Sequence, residues 1–459
     1  IGEKMNRKTE RMMWLTIIII LFLVIFYLSM TPGNAASTVS SNSLLKQLQT
    51  VIEENYYIEP PSVDELYVGA AKGMVSSLGD PFSAYATKKE LEDRRNSLSH
   101  SFGGIGAYIG IEENIPTIIR LIPDSPAKKS GILPGDMILE VDGKTTEGLD
   151  LDTVTSMIKG EPGTVVNIKI KRYNSKEPFI ISIKREIIRV QVVKSGKLTD
   201  KIYYIKISDF GDDTASNVKN ILTDGAIGYK SLIIDLRGNP GGYLDEAINL
   251  LQYFFTDKML VYTKGRNKQF NETYYAKNNQ FVSDNVKIVV LVDENSASAA
   301  EIFTAVMKDY NRATIVGQKT FGKGVVQQIF PFKDGSALFL TISQYFSPNG
   351  YVIQGKGIEP DINVKPYQYS DDELATIAIL QKKGVLYQFI QKYGANNTDI
   401  LFNKIKQYMK TQKLQLSDQS LRYLIYQLSE YYGEEVLFNL EFDYMLQKAI
   451  DVLNEKNSQ

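Results

Sequence analysis

From residue 201 onward the chain alternates short apolar runs with helical patterns, and this alternation restricts the fold more than any other feature. "YYIKI" (203–207) precedes a helical stretch near Thr214–Leu222. "SLIIDL" (231–236) precedes a Gly/Pro loop and a helix over Leu244–Phe254. "KIVVLVD" (287–293) precedes a helix that begins at Ser298, and "ATIVG" (313–317) follows. Runs that are apolar throughout belong to strands buried on both faces, so a largely parallel sheet with helices on both sides is expected. "VVQQIFPFKDGSALFLTISQYF" then reads as a hairpin turning at Asp334–Gly335.

At 459 residues the chain is too long for one domain. Upstream of the alternating region, residues 99–180 carry short strand and turn signals that close a small α+β module. Residues 37–98 and 367–459 are helical in pattern, with Ser370 and Glu373 forming a capping box. Residues 181–366 form the α/β core. In residues 1–36, a basic flank (Arg7, Lys8, Arg11) precedes the apolar stretch Trp14–Met30. That stretch is close to the length needed to span a bilayer, and the basic flank orients the remainder outside the cytoplasm. Gly33–Asn34–Ala35 resembles a cleavage site, so an anchor and a removed signal both remain open. A net charge of −1 gives no reason to expect a nucleic-acid partner. The absence of cysteine excludes thiol chemistry, and a single histidine argues against a His-based metal site. No metal or cofactor is expected.

"NSASAAE" (295–301) places Ser298 at the start of a helix directly after a buried strand, where a nucleophilic serine can use free backbone N–H groups. The bland reading is an ordinary helix cap, and Ser296 competes as nucleophile. The only histidine, His100, lies far upstream in a polar stretch, so the base has to be sought elsewhere. Lys323 in "TFGKGVVQQ" is a candidate, because desolvation beside Phe321, Val325 and Val326 would lower an amine toward neutrality. Gln327 could orient that amine without adding charge. Taken alone, a GKG in a loop is more often a phosphate contact or a plain turn. "DLRGNPGG" (235–242) exposes glycine N–H groups after a strand, and these with Ala299 N–H could stabilise an oxyanion.

These segments together resemble the carboxy-terminal processing proteases, carried by "NSASAAEIFTAVMKDYNRATIVGQKTFGKGVVQQ", "DLRGNPGG" and "GKGIEPDI". "FGGIGAYIG" and "SPAKKSGILPGDMILEVDGK" resemble that family's inserted PDZ domain. The resemblance implies a PDZ domain placed before a crotonase/Clp-like protease core, flanked by helical regions. It implies Ser298 as nucleophile, Lys323 as base and Gln327 as the group orienting it. Ala299 with Gly241 or Gly242 would form the oxyanion hole; the family often has a third glycine where this chain has Pro240. PDZ loop N–H groups map to Ile105, Gly106 and Ala107 and would bind a substrate's C-terminal carboxylate. Lys159 falls loosely on a basic position of the family, although a solvated lysine is the bland reading. The implied partners are a protein or peptide with a free C-terminus and the membrane through residues 14–30. The implied place is outside the cytoplasm of a bacterium, anchored or secreted. The C-terminal helices and those of Leu44–Leu78 are expected to build a homodimer interface. Two rival readings are a crotonase-like acyl-CoA enzyme and an inactive PDZ scaffold at a membrane.

Overall fold

A computed structural model describes residues 41–112, 114–173, 175–433 and 436–455. The expected membrane segment, residues 14–30, lies outside the described residues. Among the described residues no helix is long and apolar enough to cross a membrane. The chain divides into two compact units, Ile1–Tyr85 and Ala86–Gln459.

In the first unit, helices α1 (Ser41–Asn55) and α2 (Val63–Ser76) are joined by a hydrogen bond from Tyr67 to Gln49. Ser62 starts α2 as half of a capping box with Glu65, directly after Pro60–Pro61, which cannot continue the preceding helix. Leu44, Leu48 and Val51 stay exposed along α1.

The second unit begins with α3 (Lys88–Leu98) and the small α+β module. Its strands are β1 (Ser101–Gly104), β2 (Ala107–Glu112), β3 (Ile115–Leu121), β4 (Met137–Val141), β5 (Val165–Lys171), β6 (Phe179–Lys184) and β7 (Glu186–Arg189). Its helices are α4 (Pro126–Lys129) and α5 (Leu151–Ile158). Strands β2-β3-β4-β5-β6 form one sheet around buried Ile118, Ile138, Val154, Ile168 and Ile183, and β1 pairs with β7. The expected boundary at residue 180 is therefore too early, since it cuts β6 and omits β7. "FIISIKREIIRV" offers no turn residue to mark the end. What divides it is tertiary: the buried Arg185 side chain donates to Ile158 O at 2.8 Å and Met157 O at 3.1 Å, tying the chain to the end of α5.

The core sheet has the order β8 (Val193–Lys197), β9 (Ile202–Ile207), β10 (Ser231–Asp235), β13 (Lys287–Val292), β14 (Thr314–Gly317), β17 (Ile362–Asn363). All neighbours are parallel except β8 with β9, as the apolar runs predicted. Helices α6 (Thr214–Asn220), α7 (Leu244–Leu251) and α8 (Ala299–Asp309) cover one face. A second sheet holds β11 (Met259–Lys264), β12 (Thr273–Tyr275), β15 (Val325–Pro331) and β16 (Ala337–Phe346). The last two form the expected hairpin.

The C-terminal residues are helical, as expected, but their helices pack in two separate groups. Helices α9 (Asp371–Lys382), α10 (Val385–Tyr393), α11 (Thr398–Gln412) and α12 (Asp418–Tyr432) share a core with Ile119 and Met137 of the small module. Tyr387 donates to Gly135 O at 3.3 Å, and Tyr432 donates to Glu112 at 2.5 Å. Helix α13 (Tyr444–Glu455) instead covers the other face of the core sheet. There Leu446, Ala449 and Leu453 pack with Ile233, Val289 and Val316. Sequence spacing shows that these helices are amphipathic but not which face each one meets.

Candidate active site

The core sheet's strand ends set out the site. After β13 the chain turns at Asp293–Ala297 and enters α8 at Ser298. Ordinary N-caps have extended backbone, whereas Ser298 has φ 54° and ψ −115°. A non-glycine residue at positive φ is uncommon and is held there by its surroundings. The holding groups are identifiable. Ser296 is buried, and its hydroxyl donates to Leu236 O at 2.8 Å while accepting Asp293 N–H at 3.0 Å. Ser296 is therefore a tie within the turn. Ala297 N–H donates to Asn239 O at 2.9 Å.

The loop after β10 lies against this turn. A Cβ added at Gly241 would stand 2.6 Å from Ser298 Cβ and 2.8 Å from Ala297 O, and Gly241 has φ 108°. Only glycine allows both that approach and that backbone. The buried Asn239 amide donates to Ile207 O at 2.9 Å, and its oxygen accepts Gly241 N–H at 2.8 Å. Gly241's N–H is thus already engaged, and Gly242 follows it with φ 134°. Phe210 N–H donates to Gly241 O and Tyr243 N–H to Phe210 O, both at 2.7 Å. Arg237 fixes the root of the loop, pairing with Asp235 at 2.6 Å and with Asp443 just before α13 at 2.7 Å. Burial pushes the Asp235 carboxyl up, but the Arg237 guanidinium and the Tyr204 hydroxyl outweigh it and leave the group below its ordinary value.

Lys323 lies between α8 and the hairpin, and one carboxylate connects it to Ser298. Glu301, fully buried in the first turn of α8, accepts Ser298 N–H at 2.9 Å and Lys323 N–H at 2.8 Å on Oε2. On Oε1 it accepts Gly322 N–H at 2.7 Å and the Thr320 hydroxyl at 2.6 Å. Burial raises the Glu301 carboxyl, and these four bonds oppose that rise. The lysine loop is also held from its far side, where Gly324 N–H donates to Gln354 Oε1 at 2.9 Å and Gly355 N–H to Gly322 O at 2.9 Å. Sequence reasoning quoted Glu301 inside the "NSASAAE" motif but gave it no role. The signal was the serine-to-glutamate capping spacing of 298 and 301.

The expected apolar wall around Lys323 is only partly present: Val325 is buried, but Phe321 is 63% exposed. Phe321 faces out because its backbone N–H is fixed to Ser296 O at 3.0 Å. Gln327 stands in β15 immediately after an irregularity in register between Val326 and Gln327. Strand alternation alone therefore does not set its facing.

In the small module, Ile105 is buried in the core, and Gly106 has φ 76°, with Ser125 where a Cβ would sit. Lys159 ends α5, its ammonium 5.1 Å from the Phe102 ring, and Gly160 N–H donates to Gly103 O at 3.2 Å. The loop Ile105–Ala107 and Lys159 are thus drawn toward the same glycine strand from its two sides.

The matching family models cover three stretches. The one described as Peptidase family S41 spans residues 201–364, the PDZ domain 117–172, and the Activating protease CtpB N-terminal domain 30–90. A "Probable CtpA-like serine protease" of Staphylococcus haemolyticus (strain JCSC1435) is 35% identical over 377 residues, covering 79% of this chain and 75% of the relative. A "Carboxy-terminal-processing protease" of Bartonella bacilliformis (strain ATCC 35685 / KC583 / Herrer 020/F12,63) is 35% identical over 353 residues, covering 75% of this chain and 79% of its own. A solved photosystem II D1 C-terminal processing protease is 25% identical with a TM-score of 0.44, covering 70% of this chain and 87% of that one. This chain belongs to peptidase family S41, as a serine-type peptidase of the carboxy-terminal processing kind that carries a PDZ domain.

Proposed function

We propose that the chain is an endopeptidase in which Ser298 attacks the scissile carbonyl and Lys323 takes the serine's proton. Ala299 N–H and Gly242 N–H receive the oxyanion; Gly242 is preferred to Gly241 because Asn239 already engages the latter. The lysine then passes its proton to the departing amine, and water, deprotonated by the again neutral Lys323, releases the acyl group and restores the Ser298 hydroxyl. Lys323 has to be neutral to act as base, and Gln327 orients it without adding a negative charge that would favour the ammonium.

The observation that carries this reading is Glu301, whose one carboxylate oxygen accepts both the Ser298 and the Lys323 backbone N–H. The strained backbone of Ser298 adds to it, because such strain gathers at functional turns.

The PDZ domain would select substrates by a free C-terminal carboxylate bound on the Ile105–Ala107 loop, with Lys159 as a nearby basic group. The reading places the catalytic part outside the cytoplasm, with residues 14–30 as anchor or removed signal. A homodimer would use the exposed stripe Leu44, Leu48 and Val51, since the apolar faces of α9–α12 are already covered within the chain.

The test is cleavage of casein by Ser298→Ala and Lys323→Ala variants. Each should lower kcat/KM by roughly a thousandfold or more, with thermal unfolding unchanged. Retention of more than a few per cent of activity by the lysine variant would overturn the Ser–Lys assignment. No cleavage by the unaltered chain would favour the inactive scaffold.

A further inference from the structure

Beside the oxyanion loop, the neck of the PDZ domain touches the core through the side-chain pair His100–Asp209. His100, the chain's only histidine, directly precedes β1, which leads into the Ile105–Ala107 loop. Its carbonyl accepts Val190 N–H at 2.9 Å, just after β7, where the chain leaves the module. Both covalent connections of the PDZ domain therefore meet at His100, which is held at φ 48°. Its Nε2 lies 3.3 Å from Asp209 Oδ1, with both side chains mostly buried, at 17% and 19% exposure. Asp209 precedes Phe210, whose backbone pairs with Gly241 and Tyr243, and its Oδ1 is 2.9 Å from where a Gly242 Cβ would stand. The path from neck to oxyanion loop thus runs through contacts, without a gap.

We infer that His100 and Asp209 are a positioning pair that couples the PDZ neck to the oxyanion loop. The inference rests on the proposed role of Gly242. A mostly buried carboxylate is costly without a partner, and the imidazole of His100 is the partner the neck supplies. Burial raises the Asp209 carboxyl and His100 opposes that rise, in keeping with the pair.

The experiment compares the full-length chain with His100→Gln and Asp209→Asn on a peptide ending in a free carboxylate. Peptide affinity, measured on Ser298→Ala backgrounds, should stay within about twofold, while kcat should fall roughly fivefold or more, the usual scale of a coupling energy. The double variant should lose no more than either single one. Equal kcat for wild type and both variants would overturn the inference, as would additive losses. Failure of the underlying reading looks different: Ser298→Ala would then cleave, and this inference would fall with it.

Discussion

At the residue scale, Glu301 shows how a sequence feature with a bland explanation acquires a second role. As half of a capping box it satisfies a backbone N–H at the start of α8. Its other bonds go to Thr320, Gly322 and Lys323, so it also fixes where the lysine loop stands relative to Ser298. Gln in its place keeps the shape but turns one oxygen into a donor facing donors, leaving at least one buried N–H unpaired at about 1–3 kcal/mol. Glu301→Gln should therefore lower kcat by roughly a hundredfold through misplacement of the two loops, with KM little changed. Steady-state kinetics beside thermal unfolding checks this. Full activity in the variant would remove Glu301 from the site.

At the element scale, the helices of the C-terminal part are joined by a second glutamate. Glu373 accepts the hydroxyls of Ser420 at 2.5 Å and Ser417 at 2.8 Å, and the backbone N–H of Ser370 at 3.0 Å. It thereby ties the start of α9 to the start of α12. The Ser420 hydroxyl, then the Ser370 N–H, hold this half-buried carboxyl down at about 2 against an ordinary 4.5. A lowered carboxyl stabilises the fold fully above its unfolded value, and that stability is lost as pH falls. The loss should run from about pH 4.5 toward about pH 2. Denaturant midpoints recorded across that window should drop less steeply for Glu373→Gln than for the unaltered chain. Identical slopes would show that the carboxylate does not join the helices.

At the scale of the whole molecule, the PDZ domain has two attachments: its neck at His100 and its sheet face against α9–α12. Deleting residues 101–189 removes Ile119 and Met137 from the helical cluster and exposes the apolar residues they cover. Exposure of buried apolar surface costs about 25 cal/mol per Å², so the deletion should loosen α9–α12 as well as release the core. Hydrogen exchange in α12 should accelerate in the deletion, while α8 keeps its protection. Unchanged exchange in α12 would contradict the contact. The result also bears on activity, because loss of cleavage in such a deletion need not mean that the PDZ domain activates the protease.

The parallel sheet, the hairpin and the small module were legible in the sequence, because burial on two faces, turn chemistry and helix capping are local properties of "KIVVLVD", Asp334–Gly335 and Ser370–Glu373. The stretches that resemble a protease were legible too, as Ser298, Lys323 and the glycines of "DLRGNPGG" stand in recognisable order. Several things were decided only by the tertiary structure. The break between β6 and β7 of the small module coincides with Arg185 reaching the carbonyls of α5, a contact that no local pattern encodes. The engagement of Gly241 N–H depends on the Asn239 side chain, whose direction is set by Ile207 O on β9. The split of the C-terminal helices between the PDZ sheet and the core sheet depends on which apolar faces meet. Amphipathic spacing gives each helix a face to bury, but the partner for that face is chosen only when distant parts of the chain come together.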